Sequence, residues 1–252
     1  MKLVWMNGEF LPPDEARVSV LDRGFLFADG VYEVTPFYRG RPFRMEAHLA
    51  RLERGLCALG IVLDVPSLEE VKHELVVRSG LAEAEVATVY LQVTRGVAPR
   101  SHAFPDPPVP PTVVAWAGPF VRPDEQTWAA GFDAVSVPDR RWSRADIKSI
   151  QLLPNVLAQE EARKAGVKDA LLVRDGLALE GAHNNVFAVF EPDPPGGHPG
   201  GRAGDRPGDR GPDGPGAAPA PGRGEGGGHR TLLHRDHHRG APHGPSGRPP
   251  RG

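Results

Sequence analysis

The chain has 252 residues, a formal net charge of −2 and a single cysteine. Such a balance draws it toward neither nucleic acid nor an anionic membrane, and lone Cys57 excludes an intramolecular disulfide and fits a reducing compartment. Met1–Gly8 has too short an apolar run for a signal peptide, and no apolar stretch is long enough to span a bilayer, so a soluble cytoplasmic protein is expected.

Taken in chain order, residues 1–190 read as an α+β fold. Met45–Gly60 has helical spacing, with Leu49, Leu52, Leu56 and Leu59 on one face and Cys57 expected as a buried packing residue in the same pattern. Ser67-Leu68-Glu69-Glu70 has the form of a capping box and predicts a helix through about Arg78. Glu85–Val93 alternates as a strand, and Thr112–Ala117 and Phe132–Val137 are further strand candidates. The Pro-rich stretch Pro105–Pro111, or the segment near Pro123, is the expected boundary between an N-terminal subdomain (1–120) and a second one (121–190). Ile150–Ala165 reads as a helix ended by Gly166, with Pro154 tolerated near its first turn. Asp169–Arg174, a turn at Asp175-Gly176 and Leu177–Glu180 predict a hairpin that brings Glu180 to a strand end. Asn185–Phe190 looks like a further strand.

The composition then changes. Of residues 191–252, 18 are Gly and 13 are Pro, and ten amino-acid types are missing altogether. Such a segment cannot bury enough apolar area to offset chain entropy, so a disordered tail is expected. Its run His234-Arg235-Asp236-His237-His238 offers no preorganised geometry, and no metal site is expected there.

Several linked segments carry a resemblance. They are Asp22-Arg23-Gly24-Phe25-Leu26-Phe27-Ala28-Asp29-Gly30-Val31-Tyr32-Glu33, His48-Leu49-Ala50-Arg51-Leu52, Gln92-Val93-Thr94-Arg95-Gly96, and the surroundings of Lys148 and Glu180. From Trp5 to Phe190 the chain resembles the fold-type IV pyridoxal-phosphate aminotransferases, and within them most the D-amino-acid branch. The resemblance implies a two-subdomain fold with its C-terminal portion truncated, pyridoxal 5′-phosphate as cofactor, amino-acid and 2-oxo-acid substrates, and a homodimer.

Residue by residue, the resemblance makes Lys148 the catalytic Schiff-base lysine, with Ile147 and Ile150–Leu153 as an apolar wall for its amine. Glu180 matches the carboxylate that keeps the pyridine nitrogen protonated, so that the ring can accept electrons. Arg51 matches the arginine on the cofactor phosphate, a use suited to a fork of charged donors. Tyr32 and Arg141 match substrate-side residues. Arg100 and His102, one residue apart on extended chain, match an Arg-x-His clamp for the substrate carboxylate that reaches the partner subunit's site. This clamp separates the D-amino-acid branch from branched-chain aminotransferases and aminodeoxychorismate lyases, the alternatives within the fold. Ala182, His183 and Asn184 stand where the family often has small hydroxyl residues, which departs from its pattern of phosphate contacts.

Past Phe190 the resemblance implies a second phosphate-binding turn and a Thr-rich loop, and neither is written in this chain. Read one base later with permitted codon choices, His229–Gly244 spells Thr-Glu-Leu-Phe-Phe-Thr-Gly-Thr-Thr-Thr-Glu-Val-Leu-Pro-Met-Val. The expectation is a frame-shifted tail on an aminotransferase core. The reading from a different class is a truncated homologue that no longer holds cofactor.

Overall fold

Alternation of buried and half-buried residues along three long strands produces a six-stranded sheet in the computed structural model, which describes residues 1–189 and the backbone of 232–234. Its strands are β1 (Val4–Met6), β2 (Glu9–Leu11), β3 (Gly30–Tyr38), β4 (Arg41–Pro42), β5 (Ala87–Thr94) and β6 (Thr112–Pro119). They lie in the order β2-β1-β6-β5-β3-β4, with every neighbouring pair antiparallel. The short helix α1 (Arg23–Phe27) leads into β3, capped by the Asp22 carboxylate accepting from the Gly24 amide.

Helices α2 (Met45–Leu59) and α3 (Leu68–Arg78) cover the face that presents Val31, Phe37, Val89, Leu91 and Val93, and Leu52, Leu56, Leu68 and Leu75 fill the space between. The helical spacing read for α2 holds, but Cys57 is exposed. It follows buried Leu56 by one residue, about 100° round the helix and off the stripe. Ser67 also differs from its expected role. It stands at the N-cap position of α3 in helical conformation with no capping bond, and its hydroxyl donates instead to the Asp64 carbonyl. The Leu68 and Glu69 amides donate to the Val65 and Pro66 carbonyls, so the helical turn already begins before Ser67.

After α4 (Glu125–Ala130) a second sheet forms from β7 (Ala134–Pro138), β8 (Asp169–Arg174) and β9 (Leu177–Gly181), with α5 (Leu153–Lys164) between β7 and β8. The β7–β8 pair is parallel, which the intervening helix makes sterically feasible. The β8–β9 hairpin turns through Asp175 and Gly176, both at positive φ. A smaller core of Val137, Ala158, Ala162, Ala170, Leu172 and Ala182 holds this layer together. The expected strand at 185–190 appears as β10 (Asn185–Phe187), paired antiparallel with β11 (Leu232–His234). Leu232–His234 therefore depart from the structureless tail expected for 191–252, and the remainder of that segment lies outside the described residues.

Two stretches are placed by the strands and backbone bonds around them. Pro105–Pro111 joins β5 to β6, neighbours in one sheet, so it separates no layers, whereas the segment near Pro123 lies between the two sheets. Helix α5 starts at Leu153 rather than Ile150, because the Ile150 amide donates to the Gly30 carbonyl (3.1 Å) and ties that stretch to β3. Among the described residues, no helix is long and apolar enough to cross a membrane.

Lys72 is fully buried on α3, with Nζ donating to Thr35 Oγ1 at 3.0 Å. Burial pulls its ammonium down from 10.5 to about 8, against the opposing pull of Glu33 and Glu69. A depressed lysine costs stability at neutral pH. That cost is relieved between pH 8 and 10.5, where the unfolded chain retains a proton that the folded one has lost. Lys72→Met is therefore expected to stabilise the fold at pH 7 by up to about 3 kcal/mol. In urea titrations that gain should shrink as pH rises toward 10; a gain that grows with pH would contradict the assignment.

Candidate active site

The site is assembled where the chain between the two sheets runs back onto β3. The Tyr32 amide donates to the Lys148 carbonyl at 3.1 Å, Val31 bridges Ser149, and the Ile150 amide donates to Gly30. These bonds place the Lys148 ammonium over the Tyr32 ring, 4.5 Å from its centroid, a cation–π arrangement. Tyr32 in turn stacks on Tyr90, and Tyr90 on Trp116, so the ring is braced along the outer face of the sheet. Ile147, expected as part of an apolar wall, is buried in the main core.

From the other side, the hairpin brings Glu180 to the same cleft. Its carboxylate is paired with the Arg141 guanidinium, which also grips Asp139 through Nε (2.9 Å) and Nη2 (3.0 Å). Arg174 adds a further bond to Asp139 at 2.9 Å. The hydrogen bonds from Arg141 hold the Asp139 carboxyl below its ordinary range against the opposing effect of burial. The turn after Glu180 is fixed by Asn184, whose side-chain amide donates to Asp169, and by Asn155 of α5, which donates to the Ala182 carbonyl at 2.7 Å. Of the three residues that depart from the family pattern, Ala182 and Asn184 are thus buried and structural, while His183 is exposed on the cleft wall.

Tyr32, Arg51, Arg141, Lys148 and Glu180 all line one cleft of about 430 Å³, within the roughly 300–1,000 Å³ usual for small-molecule sites. A second cavity of about 470 Å³ shares Tyr32, Arg51, Lys148 and His183 with it and adds Arg44, His48 and Arg54. Its cationic lining favours an anionic group. Arg100 and His102 are not part of either. Both are exposed and lie against Phe27, and His102 lines a third, smaller cavity with Trp142, Ser149 and Gln151.

Sequence reasoning gave no role to the acids behind these groups. Glu33 is fully buried and accepts from Arg51 Nε (2.5 Å), Arg51 Nη2 (2.9 Å) and, within 2.9 Å, His48 Nδ1. Asp29 accepts from Arg23 and from both Nε and Nη2 of Arg95. Arg23 also donates to the Ser101 and Ala103 carbonyls on either side of His102. Burial raises each of these carboxyls, but their arginine partners outweigh it and hold both below the usual carboxylate range. The available signal was acids embedded in otherwise apolar stretches, which is uninformative until the partners are known.

A family model for amino-transferase class IV matches residues 30–192. The chain belongs to the class IV aminotransferases. It is 40% identical over 191 residues to a D-alanine aminotransferase of Staphylococcus aureus and 41% identical over 191 residues to that of Staphylococcus epidermidis. Each alignment covers 75% of this chain and 66% of the relative, so this class IV chain spans about two thirds of the length of the curated relatives it matches. Among solved structures, the T.th. branched-chain amino acid aminotransferase with pyridoxamine 5′-phosphate superposes with a TM-score of 0.65 at 26% identity, covering 74% of this chain and 64% of that one.

Gly30 permits the close approach of β3 to β5 at the point where the Lys148 segment joins β3. A Cβ there would collide with the Val93 carbonyl and lie 3.2 Å from Ile150 Cδ1. Gly30→Ala is expected to cost about 1–3 kcal/mol, read by urea unfolding. An unchanged midpoint would show that the packing of β3 against Val93 at Gly30 is not tight.

Proposed function

We propose that this chain carries the core of a pyridoxal-phosphate-dependent enzyme that moves an amino group between a D-amino acid and a 2-oxo acid. The observation that carries this reading is the convergence of an amine, a carboxylate and a guanidinium on one cleft: Lys148, Glu180 and Arg51. Those three groups fit the aldehyde, the pyridine nitrogen and the phosphate of the cofactor in chemical type. When bound, pyridoxal phosphate supplies the carbonyl that takes up the amino group and a ring that accepts the electrons released at the substrate Cα.

The chain's own residues supply the rest. Lys148 Nζ, held over the Tyr32 ring, takes the proton from the substrate Cα and returns it as acid. Glu180, braced by Arg141, provides the negative charge that keeps the pyridine nitrogen protonated. Arg51 holds the phosphate within the cationic cavity that it shares with Arg44 and Arg54. Tyr32 walls the substrate side. Arg141 is committed to Asp139 and Glu180, which favours a role in orienting Glu180 over direct contact with substrate.

The D-amino-acid reading is supported by relatives at about 40% identity that are D-alanine aminotransferases. Arg100 and His102 stand outside the Lys148 cleft of their own chain, which suits a homodimer in which they serve the second copy's site. The second reading, a branched-chain aminotransferase, is favoured by the superposition on such an enzyme. We further infer that residues 191–252 are a frame-shifted continuation, on the strength of their composition.

The purified chain mixed with pyridoxal phosphate is expected to gain visible absorbance and to convert D-alanine to pyruvate faster than L-alanine. Lys148→Ala should lower that rate by at least about 100-fold. Preference for L-leucine over D-alanine would favour the second reading, and no absorbance would favour a truncated homologue that holds no cofactor. Genomic resequencing across the codons for 185–230 should reveal a shift in frame; a read that upholds the present frame would sink that inference.

A further inference from the structure

Arg51 lies on α2, one helical turn after His48, and both reach the same buried acid on β3. That acid, Glu33, belongs to the strand face that otherwise delivers Val31, Thr35 and Phe37 to the core, and it is 0% exposed. A carboxylate in such a place is costly to desolvate unless its charge is answered. Here a two-point grip by Arg51 and a bond from His48 answer it. The arrangement is asymmetric. Glu33 is wholly inside, whereas 38% of the Arg51 side chain remains exposed along the two cavities it lines.

We propose that Glu33 is a positioning residue for the phosphate end of the cofactor site, orienting the Arg51 fork and the His48 ring so that an incoming phosphate meets a guanidinium already set in place. The proposal rests on the reading of Arg51 given above and goes beyond it by naming what fixes that arginine. Two of the fork's nitrogens are committed to Glu33, which sets the guanidinium plane and removes most of its rotational freedom before any anion arrives. A long arginine on an exposed helix face would instead have to be ordered on binding, with a loss of affinity. His48 and Arg54 stand in the same cationic cavity, so an anion entering there meets a preset wall.

The test compares pyridoxal 5′-phosphate with pyridoxal, which has the same aldehyde and ring but no phosphate. Binding is followed by the visible absorbance that Lys148→Ala removes, with circular dichroism reporting the fold. In Glu33→Gln the dissociation constant for pyridoxal 5′-phosphate is expected to rise about tenfold or more while that for pyridoxal stays unchanged, consistent with the loss of one charge-assisted contact. Glu33→Asp, which keeps the charge but withdraws it by one methylene, should give a smaller loss with the same selectivity, and it serves if Glu33→Gln does not fold. Equal losses for both ligands, or no loss for either, would overturn the proposal and leave Glu33 as a folding residue. Wild-type chain that binds neither ligand would instead overturn the cofactor reading on which it rests.

Discussion

The short antiparallel contact between β3 and the Lys148 segment is the constraint on which the site depends. It consists of two backbone hydrogen bonds, Tyr32 to Lys148 and Ile150 to Gly30, which together make the bridge between Val31 and Ser149. Those few bonds join a chain that has left the first sheet, passed through β7 and not yet entered α5. They set the lysine over the tyrosine, delay the start of α5 by three residues and bring the second sheet's hairpin opposite the first sheet's edge. Gly30, whose carbonyl accepts from Ile150, has no room for a side chain between the Val93 carbonyl and Ile150.

Around this contact the protein buries charged side chains. Glu33 and Asp29 lie within or beside the first core, each answered by guanidinium groups that lower its proton affinity despite burial. Arg23 and Arg95 then use remaining donors on the carbonyls of Ser101, Ala103 and Leu59, and Arg95 lies against Phe104. The pairs are poor sources of net stability, since desolvation cancels most of their attraction. Their value lies in geometry. One fixes the guanidinium at the cleft, and the other fixes the loop that bears Arg100 and His102.

Much of this was legible in the amino-acid order where the determinants are local. The leucine spacing of α2, the Asp175-Gly176 turn and the alternation of β5 and β6 depend on near neighbours, and they appear as read. Lys148, Glu180, Arg51, Tyr32 and Arg141 were named through their motif contexts, and the fold collects all five around one cleft. What escaped depends on partners distant in sequence. Cys57 fell on the wrong side of its helix because one residue of phase decides burial. Ser67 lost its capping role to a turn formed by Val65 and Pro66. Glu33 and Asp29 could not be interpreted before the chain placed Arg51 and Arg95 against them.

Lys148 is proposed as the amine at the heart of a cofactor cleft. Borohydride reduction of the chain after incubation with pyridoxal 5′-phosphate, followed by peptide mapping, tests it most directly. A single pyridoxyl label on Lys148 is expected, lost when Glu180 and Arg51 are both replaced by neutral residues. Label spread over surface lysines, or absent from Lys148, would contradict it.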